Sequence, residues 1–181
     1  MSVTASLVID VQTGLATGAY REKELLEVIN LTNTRVRCGG GMVVFVQHCH
    51  ASYEALMVGN PGWQLHSGLD VKEQDLTVAK RASDSFYDTE LEILLRDAGV
   101  ENVIISGLQS EFCVDSTCRA ALSRGFAVTL LSDGHTTGDS HMKAVEVVNH
   151  HNIILANLAS PDHPIRVVSS QEVIEEVIHA D

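Results

Sequence analysis

Short apolar runs recur along the chain, separated by segments of helical length: ASLVIDV (5–11), GMVVFVQ (41–47), LTVAK (76–80), NVIISGL (102–108), FAVTLLSD (126–133) and NIILANL (152–158). Strands buried on both faces read as continuous apolar runs rather than as alternation, which is the mark of a parallel sheet covered by helices. The pattern predicts a doubly wound α/β fold with a mainly parallel central sheet flanked by helices. Between the first two runs, Leu25, Leu26, Ile29 and Val36 recur with a helical period over Glu22–Arg37, and Gly39-Gly40-Gly41 stops the helix. Further crossover helices are expected over Thr89–Asp97, Ser110–Ser123 and Ser140–His150, each bounded by Gly or a polar turn.

Cys49–Gln74 carries no period and holds Gly59, Asn60, Pro61, Gly62, Trp63 and Gly68, which predicts a long loop of the kind that borders binding sites. After Pro161 and Pro164, Ser169–His179 reads as a short helix with Val173 and Val177 facing inward. With 181 residues the chain can bury one core, so a single domain over 1–181 is expected.

The formal charge of −12 excludes a sequence-independent grip on nucleic-acid phosphates, which needs clustered Lys and Arg. The opening MSVTASLVIDVQ has no basic leader and its apolar stretch is broken by Asp10, so neither a signal peptide nor a membrane span is read, and a cytoplasmic location is expected. The four cysteines, Cys38, Cys49, Cys113 and Cys118, form no CxxC pair and are read as reduced thiols. Cys118 stands five residues beyond Cys113 on one predicted helix, too far round it for a redox pair, and is read as core filler.

In an open parallel sheet the binding crevice lies beyond the carboxyl ends of the strands. The polar residues there are Asp10, Lys80, Gln109, Ser110 and Asp133, and Cys113 falls in the first turn of the helix that follows. Amide N–H groups and the positive helix end stabilise a thiolate, and a nearby ammonium lowers a thiol pKa further. A carboxylate beside such a thiol can take its proton and return it to a leaving amine. Asp10, Lys80 and Cys113 are thus a candidate catalytic set; the alternative is a buried cysteine beside an ordinary ion pair.

Across positions 5 to 157, Leu7-Val8-Ile9-Asp10-Val11-Gln12, then Val78-Ala79-Lys80-Arg81 with Phe86, then Ser106-Gly107-Leu108-Gln109-Ser110-Glu111-Phe112-Cys113-Val114, occur in the order found in the isochorismatase-like hydrolases, and the chain resembles that family. The resemblance implies a Rossmann-like three-layer fold with Cys113 as nucleophile, Asp10 as its base and later acid, and Lys80 as the cation that orients Asp10 and lowers the thiol pKa. It also implies a non-proline cis peptide at Leu108–Gln109, and an oxyanion hole built from the amides of Gln109 and Cys113. Relatives often carry alanine and threonine where this chain has Gln109 and Ser110, a change that bears on substrate preference.

His48 and His50, two apart after a strand, could face one side and meet His66 around a metal. The nicotinamidase branch of the family has an Asp-x-His pair there, and His48 stands in place of its Asp, so loop-packing histidines are the reading adopted and no metal is assigned. His135 and His141 near the fifth strand are read as helix-cap or surface residues. Among aromatics, Phe112 and Trp63 are expected against the substrate, with Gln12 as a polar contact.

The expected activity is hydrolysis of a C–N bond in a small amide or carbamoyl-type substrate through a thioester, without an organic cofactor. Relatives that cleave the vinyl ether of isochorismate lack the nucleophilic cysteine, so Cys113 points to acyl transfer. A metal-dependent nicotinamidase-like amidase and a non-catalytic or redox binding protein are the alternatives. The expected partners are a small-molecule substrate and further copies in a homo-oligomer, with no nucleic acid and no membrane.

Overall fold

Every residue from Ala5 to Ile9 is buried, and the strand they belong to, β1 (Val3–Ile9), takes the centre of the sheet. The structure is a computed structural model that describes residues 3–158, 160 and 163–178, the side chains of 177 and 178 excepted. β1 pairs in parallel with β2 (Met42–His48) on one side and β4 (Val100–Leu108) on the other. The sheet extends outward through β3 (Leu76–Lys80) beyond β2, and through β5 (Ala127–Thr136) and β6 (Arg166–Val168) beyond β4, all parallel in the order β3-β2-β1-β4-β5-β6. The chain winds one way from β1 and then returns to start the other half at β4, so the crevice opens at the carboxyl ends of β1 and β4.

Helices cover both faces: α1 (Thr13–Ala16), α2 (Glu22–Cys38), α3 (Leu91–Asp97), α4 (Asp115–Ser123), α5 (Ala144–Ala156) and α6 (Ser170–Ile178). Two cores result. Leu7, Ile9, Val44, Val46, Ile105 and Leu130 pack on one face with Leu91, Leu95 and Cys118, whose burial agrees with its reading as core filler. Val8, Phe45, Ile104 and Leu131 pack on the other with Leu25, Ile29 and Val36 of α2. Val173 of α6 is buried as expected, while the side chain of Val177 and the whole of His179 lie outside the described residues. No helix among the described residues is long and apolar enough to cross a membrane.

The run 152–158 is not a strand. Asn152 to Ala156 complete α5, in which Leu155 is buried and Ile153 is exposed, and a short apolar run cannot by itself separate a strand from one face of a helix. The sixth strand is Arg166–Val168, only three residues long at the sheet edge. Asp133 does not reach the crevice: its two carboxylate oxygens accept from the N–H and hydroxyl of Ser170 and so cap α6.

Gly107 shapes the floor of the crevice. Its φ of +118° and a register shift between β4 and β5 bend the strand, and a Cβ there would stand 2.0 Å from the carbonyl oxygen of Ile9. Only glycine allows β4 to approach β1 this closely.

Candidate active site

Four strand ends deliver the site. Asp10 follows β1 with φ of +51°, a left-handed conformation that aspartate tolerates better than most residues, and its N–H extends the ladder to the carbonyl of Val46. β2 and β3 end in register at His48 and Lys80, which places these two side chains side by side. β4 ends at Leu108, the Leu108–Gln109 peptide is cis as the resemblance implied, and a wide helical turn, Ser110–Val114, carries Cys113 into the crevice before α4 begins.

Asp10 and Lys80 have fully buried side chains, and Lys80 Nζ lies 2.9 Å from Asp10 Oδ2. The contact is an ion pair; neither carboxylate oxygen has an aligned hydrogen-bond donor. The ammonium also donates to the carbonyls of Ala82 at 3.0 Å and Ser83 at 3.3 Å, which fixes it at the strand end. A buried charge pair persists only when both partners are present and the remaining hydrogen bonds are made.

The side chains of Asp10, His48 and Cys113 converge, each offering an atom within 4.8 Å of the others. His48 Nδ1 lies 3.8 Å from Cys113 Sγ, 3.7 Å from Asp10 Oδ2 and 3.4 Å from Lys80 Nζ. The thiol of Cys113 is pushed up to about 12, first by its burial and then by the charge of Asp10, and the downward pull of Lys80 does not offset them. The expected stabilised thiolate is therefore corrected: burial outweighs the ammonium, and Cys113 rests as a neutral thiol.

The rings of His48 and His50 stack with centroids 6.3 Å apart, but His66 does not join them. His50 Nδ1 accepts from the backbone N–H groups of Ser52 and Tyr53, and His66 is paired with Glu22 across 3.2 Å, its Nδ1 accepting from Gly68. The ammonium of Lys80 already fills the position where a cation would sit against Asp10 and His48. The histidines present therefore do not fit the metal site of the nicotinamidase branch.

Gln12 is buried and clamps the loop: its amide donates to the carbonyls of His48 and Trp63, and its carbonyl accepts from the N–H of His48. Gln47 donates to the same Trp63 carbonyl, and the indole N–H of Trp63 meets Cys49 Sγ at 3.3 Å. Phe112, next to Cys113, is 54% exposed. The Gln109 side chain donates to Oγ1 of the buried Thr137 at 3.3 Å. A cleft of about 440 Å³, lined by Cys49, Ala79, Lys80, Arg81, Tyr87 and Asp88, lies beside the end of β3.

His135 is neither a helix cap nor a surface residue. It is buried, its Nδ1 accepts from the Ser110 hydroxyl at 2.7 Å, and its Nε2 meets Asn152 Oδ1 at 2.9 Å, so it props the turn that holds Cys113. Sequence reasoning also missed His48 as a member of the site, although it is a polar residue at a strand end like Asp10 and Lys80.

The model of the isochorismatase domain matches residues 4–160. The chain belongs to the isochorismatase family. Within it, a streptothricin hydrolase of Streptomyces noursei is 38% identical over 140 residues, covering 76% of this chain and 51% of that protein. A second streptothricin hydrolase of the same organism is 36% identical and is covered over 56% of its length, so this chain spans about half of these two relatives. Ureidoacrylate amidohydrolase RutB of Variovorax paradoxus (strain S110) is 25% identical over 188 residues, with 82% of this chain and 75% of that protein covered. A crystal structure of an isochorismatase family protein superposes with a TM-score of 0.82 at 30% identity, covering 92% of this chain and 98% of that one.

Proposed function

We propose that this isochorismatase-family chain hydrolyses a C–N bond in a small amide or carbamoyl-type substrate through a thioester on Cys113, with Asp10 as acid–base group and Lys80 as the cation that holds it. The observation that carries this reading is the convergence of a thiol, a carboxylate and an ammonium beyond the carboxyl ends of the central strands. A relative named as an amidohydrolase supports the bond class.

In the first half the sulfur attacks the carbonyl carbon as the thiol proton passes toward Asp10. The amides of Gln109 and Cys113 receive the developing oxyanion, a contribution of about 3 kcal/mol for one such donor. Collapse breaks the C–N bond, and the leaving nitrogen takes the proton. In the second half Asp10 accepts a proton from water, the hydroxyl adds to the thioester carbon, and collapse releases the acid while sulfur regains its proton. A neutral resting thiol accords with this scheme, since the base has to lie beside the nucleophile.

Release of ammonia or amine from a panel of small amides and carbamoyl compounds tests it, with Cys113→Ala as the control and each assay repeated with a chelator. Turnover by the native chain that is lost in Cys113→Ala and indifferent to the chelator is the expected result. Turnover that survives Cys113→Ala, or no turnover of any compound, would overturn the reading.

A further inference from the structure

Thr137 has no part in that scheme, yet its hydroxyl joins two side chains of the segment that carries Cys113. The residue is 1% exposed and follows β5, whose Thr136 is aligned with Leu108 of β4, so it comes to lie beside Gln109. Its own backbone is fixed, because its carbonyl accepts from the N–H of Tyr20 at 3.0 Å. Thr137 Oγ1 donates to Glu111 Oε1 at 2.9 Å and accepts from Gln109 Nε2 at 3.3 Å. Proton count sets the direction: an ionised carboxylate only accepts, a hydroxyl has one proton to give, and the amide of Gln109 must then donate to the hydroxyl oxygen. The carboxylate of Glu111 has no other donor among the described residues, its Oε2 being buried without a partner. An ionised acceptor strengthens such a bond and makes the hydroxyl oxygen a better acceptor in turn.

The backbone of the anchored residue reaches both amides assigned to the oxyanion. The N–H of Gln109 is one of them, and its carbonyl accepts from the N–H groups of Phe112 at 3.1 Å and Val114 at 3.2 Å, the neighbours on either side of Cys113. A turn of Gln109 about its Cα would therefore move both donors at once. We propose that Thr137 is a positioning residue for the oxyanion hole: its hydroxyl, braced by Glu111, holds Gln109 so that the amides of Gln109 and Cys113 converge on one point. The inference rests on the thioester reading above. Hole donors act only within hydrogen-bond distance of the oxygen that becomes charged, so the brace governs carbonyl addition and leaves the sulfur itself alone.

Two reagents separate the hole from the thiol. With 4-nitrophenyl acetate the S–C bond forms as the thiol proton passes toward Asp10, the carbonyl oxygen takes the negative charge, and collapse expels 4-nitrophenolate to leave an acetyl thioester. Iodoacetamide alkylates the same sulfur by displacing iodide at a saturated carbon, with no oxyanion. The 4-nitrophenolate burst, corrected with Cys113→Ala, gives the first rate, and peptide mass spectrometry of Cys113 gives the second. Thr137→Val should acylate about 10-fold more slowly than the native chain while alkylating at the native rate, and Thr137→Ser should acylate as the native chain does. Gln109→Met should match Thr137→Val, and the double variant should be no slower than either. Native acylation by Thr137→Val, or equal slowing with both reagents, would overturn the role, and Gln109→Met decides it in the same way if Thr137→Val fails to fold. A native chain with no Cys113-dependent burst would instead sink the thioester reading, and the inference with it.

Discussion

His135 sits at the carboxyl end of β5 with both ring nitrogens engaged, and the partners leave it one protonation state. Asn152 Nδ2 donates to the carbonyl of Ser132, so its Oδ1 faces His135 Nε2 and that nitrogen carries the proton. Nδ1 is then the acceptor for Ser110, the first residue of the turn that ends in Cys113 and Val114. Burial is the main cause that lowers the histidine to about 4 from its ordinary 6.5. Below pH 6.5 the unfolded chain binds a proton at His135 that the folded chain refuses, so stability falls as pH falls, and the loss is complete below about pH 4. With these two values the loss is about 2 kcal/mol at pH 5 and about 3 kcal/mol at the acid limit.

Urea unfolding of the native chain and of His135→Gln at about pH 7.5 and about pH 5 isolates this contribution, since every other group titrates in both proteins. The variant should be the less stable at the higher pH, because Ser110 and Asn152 lose their partner. Its further loss on acidification should be smaller than the native one by about 2 kcal/mol. Equal losses in the two proteins would refute the assignment of a neutral, buried His135 as the prop of the Ser110–Val114 turn.

Lys80→Met should cost about 3 to 5 kcal/mol in urea unfolding, because it strands the buried Asp10 carboxylate, and Lys80→Met combined with Asp10→Asn should recover part of that loss. Gly107→Ala places a Cβ on the Ile9 carbonyl at an unfavourable φ and should lower stability by about 3 kcal/mol or more, seen as a drop of about 6 °C or more in Tm. Gln12→Leu leaves both the carbonyl and the N–H of His48 without their partner and removes a donor from the Trp63 carbonyl, and should cost about 2 kcal/mol by urea unfolding while raising KM through the loosened Pro61–Trp63 segment.

Much of the architecture was legible because buried parallel strands leave continuous apolar runs, and five of the six strands stand where such runs stand. The sixth escaped because Arg166–Val168 is too short to make a run, while the apolar stretch of α5 imitated one. Conformation at single residues was legible only where a resemblance supplied it. The cis Leu108–Gln109 peptide was expected on that ground, but the left-handed turn at Asp10 and the bend at Gly107 leave no periodic signal. The thiol was misjudged because its neighbours in the sequence say nothing of burial, and burial outweighs the nearby ammonium.

His48 shows why a grouping by spacing can hide a site. Residues two apart share a face only while the strand continues. β2 ends at His48, and the chain then turns so that the ring of His50 accepts from the backbone of its own loop. The grouping of His48 with His50 and His66 thus assumed strand geometry that stops at His48. The rule that selected Asp10 and Lys80, that a polar residue at a strand's carboxyl end faces the crevice, selects His48 equally. The register of β2 and β3 makes that geometric, since His48 is the residue aligned with Lys80. A strand end therefore identifies this site better than histidine spacing does, and it groups His48 with the thiol.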